Sequence, residues 1–306
     1  MKSVVIALGG NALLDPSGRQ SFAKENKNIN IVMKSIALLC KNKAINLAIT
    51  HGNGSQVGDE LMRNEHAKKY VPRLPLYVLN AETQASIGTL LENSLRNNLS
   101  KTGVKKDVCV ILAHALVDDK DHAFRNPSKP IGPLYTAEEL DSELKLERFN
   151  YINVGSNYRR VVASPKPKSI LEIEPIRSEL KDNIVITCGG GGIPSIRRGS
   201  SFAGVNAVID KDSTSQLLAN LIGADTLIIL TNADYVYKDY KNREGRLEDI
   251  PASKLRKYLY LFEEGTIRPK IEACINFVDN GGKEAYIGNV FSIVSILKRT
   301  SGTRIY

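Results

Sequence analysis

The sequence predicts an α/β doubly wound fold. Short apolar runs rich in β-branched residues end in glycine or a small polar residue, helix-period segments separate most of them, and one proline-rich stretch interrupts the alternation. The runs are Val4 to Leu8, Ile45 to Thr50, Val108 to Leu112, Ile184 to Cys188, Thr226 to Leu230 and Glu284 to Ile287. Continuous apolar character over such lengths suits strands buried on both faces, as in a parallel sheet packed between helices. The helix-period segments are Ile31 to Lys41, Val57 to Lys68, Ala81 to Leu99, Ser213 to Ile222 and Ile271 to Asp279. Leu217, Leu218, Leu221 and Ile222 share one helical face, Ser213 and Gln216 read as a capping box, and Gly281-Gly282 closes the last helix. Strands alternating with helices imply a parallel sheet with helical crossovers.

From about residue 117 to 167 the rhythm breaks, with prolines at 127, 130, 133, 165 and 167 and one helix opened by a Thr136/Glu139 capping box. A long insertion in a compact domain is a functional lid or a surface loop, and this one reads as a protruding subdomain. The chain is expected to be a single domain, 1–306, in two halves. The first, about 1–180, carries the insertion; the second, about 181–306, restarts after Glu179 to Asn183 with a fresh strand and a new glycine loop.

At 306 residues and 42% hydrophobic, the chain can bury one large core or two smaller ones, which excludes a disordered protein. The run Val4 to Leu8 is too short and too abruptly closed to be a signal peptide or a membrane span. Cys40, Cys109, Cys188 and Cys274 show neither metal-site spacing nor disulfide density, so a reducing cytoplasm is the expected location. A net charge of +9 favours anionic partners. Nucleic acid is not the expected one: basic and acidic residues are interspersed, Trp is absent, and no helix-turn-helix, finger or RNP-like motif occurs.

Three glycine turns follow predicted strands: Leu8-Gly9-Gly10-Asn11-Ala12, Thr50-His51-Gly52-Asn53-Gly54 and Cys188-Gly189-Gly190-Gly191-Gly192. Any one could be a tight turn; three at strand carboxyl ends point to a shared anion site, where backbone N–H groups approach phosphate or carboxylate oxygens. The P-loop, dinucleotide and protein-kinase motifs are absent. Lys211, between Asp210 and Asp212 before a helix, is either a solvated charged cap or a cation held for phosphoryl transfer. Lys270, after Pro269 at another helix start, poses the same choice. His51 reads as a loop-fixing residue rather than a general base, and Cys188 as buried core.

Taken in order, several long segments resemble the carbamate kinases: Ala7 to Leu13, Thr50 to Gly58, Lys129 to Tyr135, Tyr158 to Pro165, Cys188 to Pro194, Ala207 to Asp212 and Pro269 to Ala273. The resemblance implies a three-layer αβα amino-acid-kinase fold, usually dimeric, with ATP over the C-terminal half and the phosphoryl acceptor over the N-terminal half. It also implies that Lys211 and Lys270 contact the transferring phosphoryl group and the nucleotide phosphates, that Asp212 organises the lysines, and that the insertion delivers Lys129. Gly9, Gly10, Asn11, Gly52, Asn53 and Gly54 would line the acceptor site. Thr231, Asn232, Asp234 and Tyr237 would lie beside the nucleotide. Mg²⁺ would ride on the ATP or ADP phosphates, with no protein cage. The sequence departs from the family at Ser55, usually Pro; at Asn232-Ala233, usually Asp-Val; at Arg268, commonly Gly; and over Asn80 to Ala85. The expected reaction is reversible transfer between ATP and carbamate to give ADP and carbamoyl phosphate. Competing readings are phosphorylation of another small carboxylate, phosphonate or phosphate, and a silent nucleotide-sensing module.

Overall fold

Alternation of side chains along a strand sends successive residues to opposite faces, so a run that is apolar throughout needs cover on both sides. The computed structural model of the chain, which describes residues 2–9, 21–42, 45–140, 149–263 and 265–306, meets this need. The first half comprises β1 (Lys2–Leu8), α1 (Phe22–Asn42), β2 (Ile45–His51), α2 (Gly54–Ala67), α3 (Leu76–Thr102), β3 (Val108–Ile111) and β4 (His114–Val117). The insertion contributes β5 (Lys129–Tyr135), β6 (Asn150–Val154) and β7 (Asn157–Val162), and the chain returns through β8 (Pro167–Ile170) and α4 (Ile173–Glu179). Next come β9 (Ile184–Thr187), β10 (Ile193–Arg198), β11 (Ser201–Gly204), α5 (Lys211–Leu221) and β12 (Thr226–Thr231). The last part holds β13 (Val236–Asp239), β14 (Glu244–Leu247), β15 (Asp249–Ile250), α6 (Ala252–Arg256), α7 (Arg268–Asp279), β16 (Glu284–Asn289), α8 (Ile293–Leu297) and β17 (Thr303–Ile305).

Eight strands form the central sheet in the order β15-β17-β16-β12-β1-β2-β9-β3. All its pairings are parallel except β16 with β17. Val4, Ile6 and Leu8 of β1 pack with Ile29, Met33 and Ile36 of α1 and Leu91 and Leu95 of α3. Val5 and Ala7, on the opposite face, join Leu218 of α5 and Ile271, Cys274 and Phe277 of α7. Each fully buried Ile or Leu contributes about 1.5–3 kcal/mol relative to exposure, so the two helix layers are the main source of cohesion. The expected three-layer αβα architecture is present.

The insertion builds its own sheet, β5-β7-β6, beside a second four-stranded sheet, β11-β10-β4-β8. Its root is pressed against α2: a Cβ on Gly58 would stand 2.6 Å from the Gly132 Cα, so the approach requires glycine at 58. The Arg160 guanidinium stacks on Phe149 with its carbon 3.4 Å from the ring centroid, and lies 4.0 Å from Glu65 of α2.

All five expected helices begin earlier than the apolar periodicity marks them, at Phe22, Gly54, Leu76, Lys211 and Arg268 in place of Ile31, Val57, Ala81, Ser213 and Ile271, and two of these starts bear on the site. The segment expected from Ala81 begins at Leu76, after Pro75, because buried Asn80, Thr83 and Gln84 interrupt the apolar stripe that marks the helix in sequence. The helix expected to be capped by Ser213 with Gln216 is capped instead by Asp210, whose Oδ1 accepts the amide N–H groups of Asp212 (2.9 Å) and Ser213 (3.1 Å). Ser213 therefore lies inside the first turn, and Lys211 is the first helical residue. The Thr136/Glu139 capping box is present, and Gly281 and Gly282 donate back to the last turn of α7.

Candidate active site

The carboxyl ends of β1, β2 and β9 meet the N-termini of α2 and α5 at one place. Gly52 donates to the Leu8 carbonyl at 3.0 Å, holding the second glycine turn against the end of β1. The third turn lies across the second. A Cβ on Gly189 would overlap the His51 ring, one on Gly190 would overlap the Asn53 amide, and one on Gly191 would stand 2.5 Å from the Ile209 carbonyl oxygen. Gly190, Gly191 and Gly192 all have positive φ, as does Cys188, so the turn is bent in a way that side chains resist. Thr214 of α5 donates to the Gly191 carbonyl at 2.9 Å, and Thr50 and Ser215 share a buried hydroxyl contact of 2.6 Å. Ser215 also bonds the Lys211 carbonyl at 2.6 Å, tying the start of α5 to the end of β2.

The charged groups stand on this platform. Lys211 pairs with Asp212 Oδ1, and Lys270 of α7 reaches Asp212 Oδ2 at 3.0 Å. The Asp212 side chain is only 3% exposed, so one buried carboxylate holds two ammonium groups. Burial pulls the Lys211 pKa below the ordinary lysine value, with Lys270 adding to the fall against the attraction of Asp212. Burial acts on Lys270 in the same sense, but Asp212 outweighs it and the pKa is raised. Lys129, at the start of β5, places its Nζ 2.9 Å from Asp210 Oδ2. Burial alone would raise the Asp210 pKa; the Lys129 and Lys211 charges override it and hold the carboxyl well below the usual range.

Asn53 is the residue before α2, but its side chain does not cap the helix. Its amide nitrogen donates instead to Asn80 Oδ1 and, at 2.8 Å, to Thr83 Oγ1 of α3. Gln84, one position on, accepts the Ala113 N–H at 2.8 Å. Asn80, Thr83 and Gln84, from the segment that departs from the family pattern, therefore form a buried wall behind the second glycine turn. Asn80, Thr83, Gln84 and Asp210 are residues of this cluster that the sequence motifs do not assign to the site. The available signal for the first three was a polar group at helical spacing inside an apolar stripe, Leu79-Asn80-Thr83-Gln84-Ile87.

Of the expected site residues, Lys129, Lys211, Asp212, Lys270, Gly52, Asn53 and Gly54 are brought to this end of the sheet, together with buried Gly9. Gly10 and Asn11 lie outside the described residues. Thr231 ends β12, two strands from β2, and the Asn232 carbonyl accepts from Asn289 at 3.2 Å. Asp234 precedes β13, which carries Tyr237. Ser55, in the first turn of α2, is half-buried, and Arg268, the first residue of α7, pairs with Glu272 at 3.0 Å.

His51 and Cys188 are both sealed in. Burial lowers the His51 pKa to about 4, against its contacts with the Gly52 and Gln84 backbone, and burial pushes the Cys188 thiol up to about 12. Neither is poised for proton transfer or nucleophilic attack at neutral pH. Between pH 6.5 and 4 the unfolded chain protonates His51 while the folded chain does not. Stability should thus fall with pH across that window, by on the order of 3 kcal/mol in total. Urea midpoints at pH 7 and pH 4.5 should differ less in His51→Gln than in the parent; an equal difference would show that His51 does not contribute.

Comparison with known proteins agrees with this geometry. Residues 2–289 match the model of the amino acid kinase family. The chain is 39% identical to a carbamate kinase of Oenococcus oeni, covering 99% of this chain and 98% of that protein, and 38% identical to one from Pyrococcus horikoshii with the same coverage. The solved structure of carbamate kinase from Giardia lamblia bound to AMP-PNP superposes with a TM-score of 0.90 at 33% identity, over 99% of this chain and 98% of that one. The convergence of half-buried lysines and glycine turns at the carboxyl edge of a parallel sheet, joined to this full-length similarity, places the chain in the amino acid kinase family, among the carbamate kinases.

Proposed function

We propose that the enzyme, an ATP-dependent kinase like its relatives, transfers the γ-phosphoryl group of ATP reversibly to carbamate, giving ADP and carbamoyl phosphate, at the cluster of Lys129, Lys211 and Lys270. The observation that carries this reading is the buried Asp212 carboxylate, which holds Lys211 and Lys270 on opposite oxygens and so fixes two cations at one point. Phosphoryl transfer passes through a state whose charge lies on phosphate oxygens, and the protein's work is to position and neutralise. The carbamate oxygen is already anionic, so no base is needed, in keeping with a His51 that stays neutral and buried.

In this reading the acceptor sits beside Gly9 and over the turn at Gly52 to Gly54, in front of the N-terminus of α2, whose first N–H groups face an anion favourably, with Gly10 and Asn11 as the further acceptor residues that the family resemblance implies. The nucleotide lies over Thr231, Asn232, Asp234 and Tyr237. The AMP-PNP complex of the Giardia enzyme supports a nucleotide site in this fold. Mg²⁺ arrives with the nucleotide and screens its phosphates. Among the described residues no group of three acidic, histidine or cysteine side chains converges to hold a separate ion. The family resemblance further implies a homodimer, which light scattering would test. Among the described residues no helix is long and apolar enough to cross a membrane.

Purified protein supplied with ADP, Mg²⁺ and carbamoyl phosphate is expected to form ATP. Absence of ATP at every pH tried, together with phosphorylation of another small acid when ATP is supplied as the donor, would shift the reading to a different acceptor. A graded test is Asp212→Asn, which keeps the side-chain shape but removes the charge that gathers the lysines. Its turnover should drop by about a hundredfold. An unchanged rate would reduce Asp212 to a structural role.

A further inference from the structure

The sequence pattern sets Asp210 beside Lys211 as one of two flanking carboxylates, yet the structure gives it a different partner. Its Oδ2 faces Lys129 at 2.9 Å, across 81 residues of sequence, while its Oδ1 accepts the first amides of α5. A single carboxylate thereby joins the cation supplied by the insertion to the helix that begins with Lys211. Both sides of the contact are otherwise anchored. β5 is pressed to α2 through Gly132 and Gly58, Arg159 donates to the Gly132 carbonyl at 3.1 Å, and Val208 donates to the Ala163 carbonyl at 3.0 Å. With the backbones fixed this way, the remaining freedom at Lys129 is that of its long side chain, whose rotamer entropy a fixed counter-ion removes.

We propose that Asp210 is a positioning residue for phosphoryl transfer: it holds the Lys129 ammonium next to Lys211 so that the cation is in place before the phosphoryl group arrives. The proposal rests on the reading of Lys129 as a phosphoryl-contacting cation. Asp210 does not touch the reacting atoms; it acts through Lys129. Its loss should therefore matter for turnover and vanish once Lys129 is gone. Capping of α5 is a separate duty, and asparagine at the same position retains an oxygen for it.

The experiment measures ATP formation from ADP and carbamoyl phosphate for the parent, Asp210→Asn, Lys129→Ala and the double variant, with melting temperatures alongside. Asp210→Asn is expected to lower kcat tenfold or more while the KM for ADP stays within about twofold and melting shifts by no more than a few degrees. The double variant should be no slower than Lys129→Ala alone. Asp210→Ser, which keeps a cap but cannot reach Lys129, should match Asp210→Asn. Multiplying losses in the double variant, or a full-speed Asp210→Asn, would overturn the proposal. A parent enzyme that makes no ATP, or a full-speed Lys129→Ala, would instead overturn the underlying reading of the site.

Discussion

Lys211→Ala is expected to slow ATP formation from ADP and carbamoyl phosphate by roughly a thousandfold or more, since a fixed cation opposite developing phosphoryl charge commonly carries an effect of that order. The fold should survive the change. Lys211 contributes its carbonyl to the Ser215 hydroxyl and its backbone to the first turn of α5, and alanine preserves both. Asp212 is not stranded either, because Lys270 still reaches its other oxygen at 3.0 Å. The Lys211 side chain is 12% exposed and its charge is disfavoured by burial, so truncation also relieves a desolvation cost. Melting should accordingly move by no more than a few degrees. Lys211→Met, which retains most of the aliphatic volume, should be as slow as the alanine variant. A Lys211→Ala enzyme of near-normal rate with an unchanged melting curve would remove this lysine from the chemistry.

Gly190→Ala should damage both stability and activity, for a reason that lies in geometry and not in charge. Gly190 has φ of +63°, where a Cβ costs about 1–2 kcal/mol. The added methyl would also overlap the Asn53 amide, which is fixed by Asn80 and by Thr83 at 2.8 Å and has no room to retreat. Forcing a methyl into such packing costs about 1–3 kcal/mol more. A loss of several degrees in melting temperature is expected, with turnover reduced at least tenfold because Asn53 belongs to the proposed acceptor turn. Gly199→Ala makes an internal comparison. Its φ is also positive, but nothing stands within 4 Å of its Cβ position, so it should bear the backbone cost alone and leave turnover unchanged. Equal effects on activity from the two substitutions would show that the Asn53 contact is unimportant.

The sequence alone determined the αβα layering, because an apolar run such as Val4 to Leu8 leaves no face for water and so requires helices on both sides. It also placed Lys211 and Lys270 near helix starts, since Pro269 and the apolar periodicity after Ser213 mark those places locally, while the capping residue of α5 proved to be Asp210 and not Ser213. Family motifs named Lys129, Lys211, Asp212 and Lys270 as a set, though residues 82 positions apart carry no local sign of being neighbours. The tertiary structure decided who pairs with whom. Asp210, adjacent to Lys211 in sequence, turns away to Lys129, because capping α5 with Oδ1 aims Oδ2 toward β5. It likewise decided that Asn80 and Thr83 support Asn53 and that Gln84 holds Ala113, polar contacts in a helix whose buried stripe is otherwise largely apolar. Hydrophobic periodicity is a property of each segment and can be read along the chain; the partner of a buried polar group is set by whichever distant segment the packing brings within about 3 Å, and that is a property of the folded molecule alone.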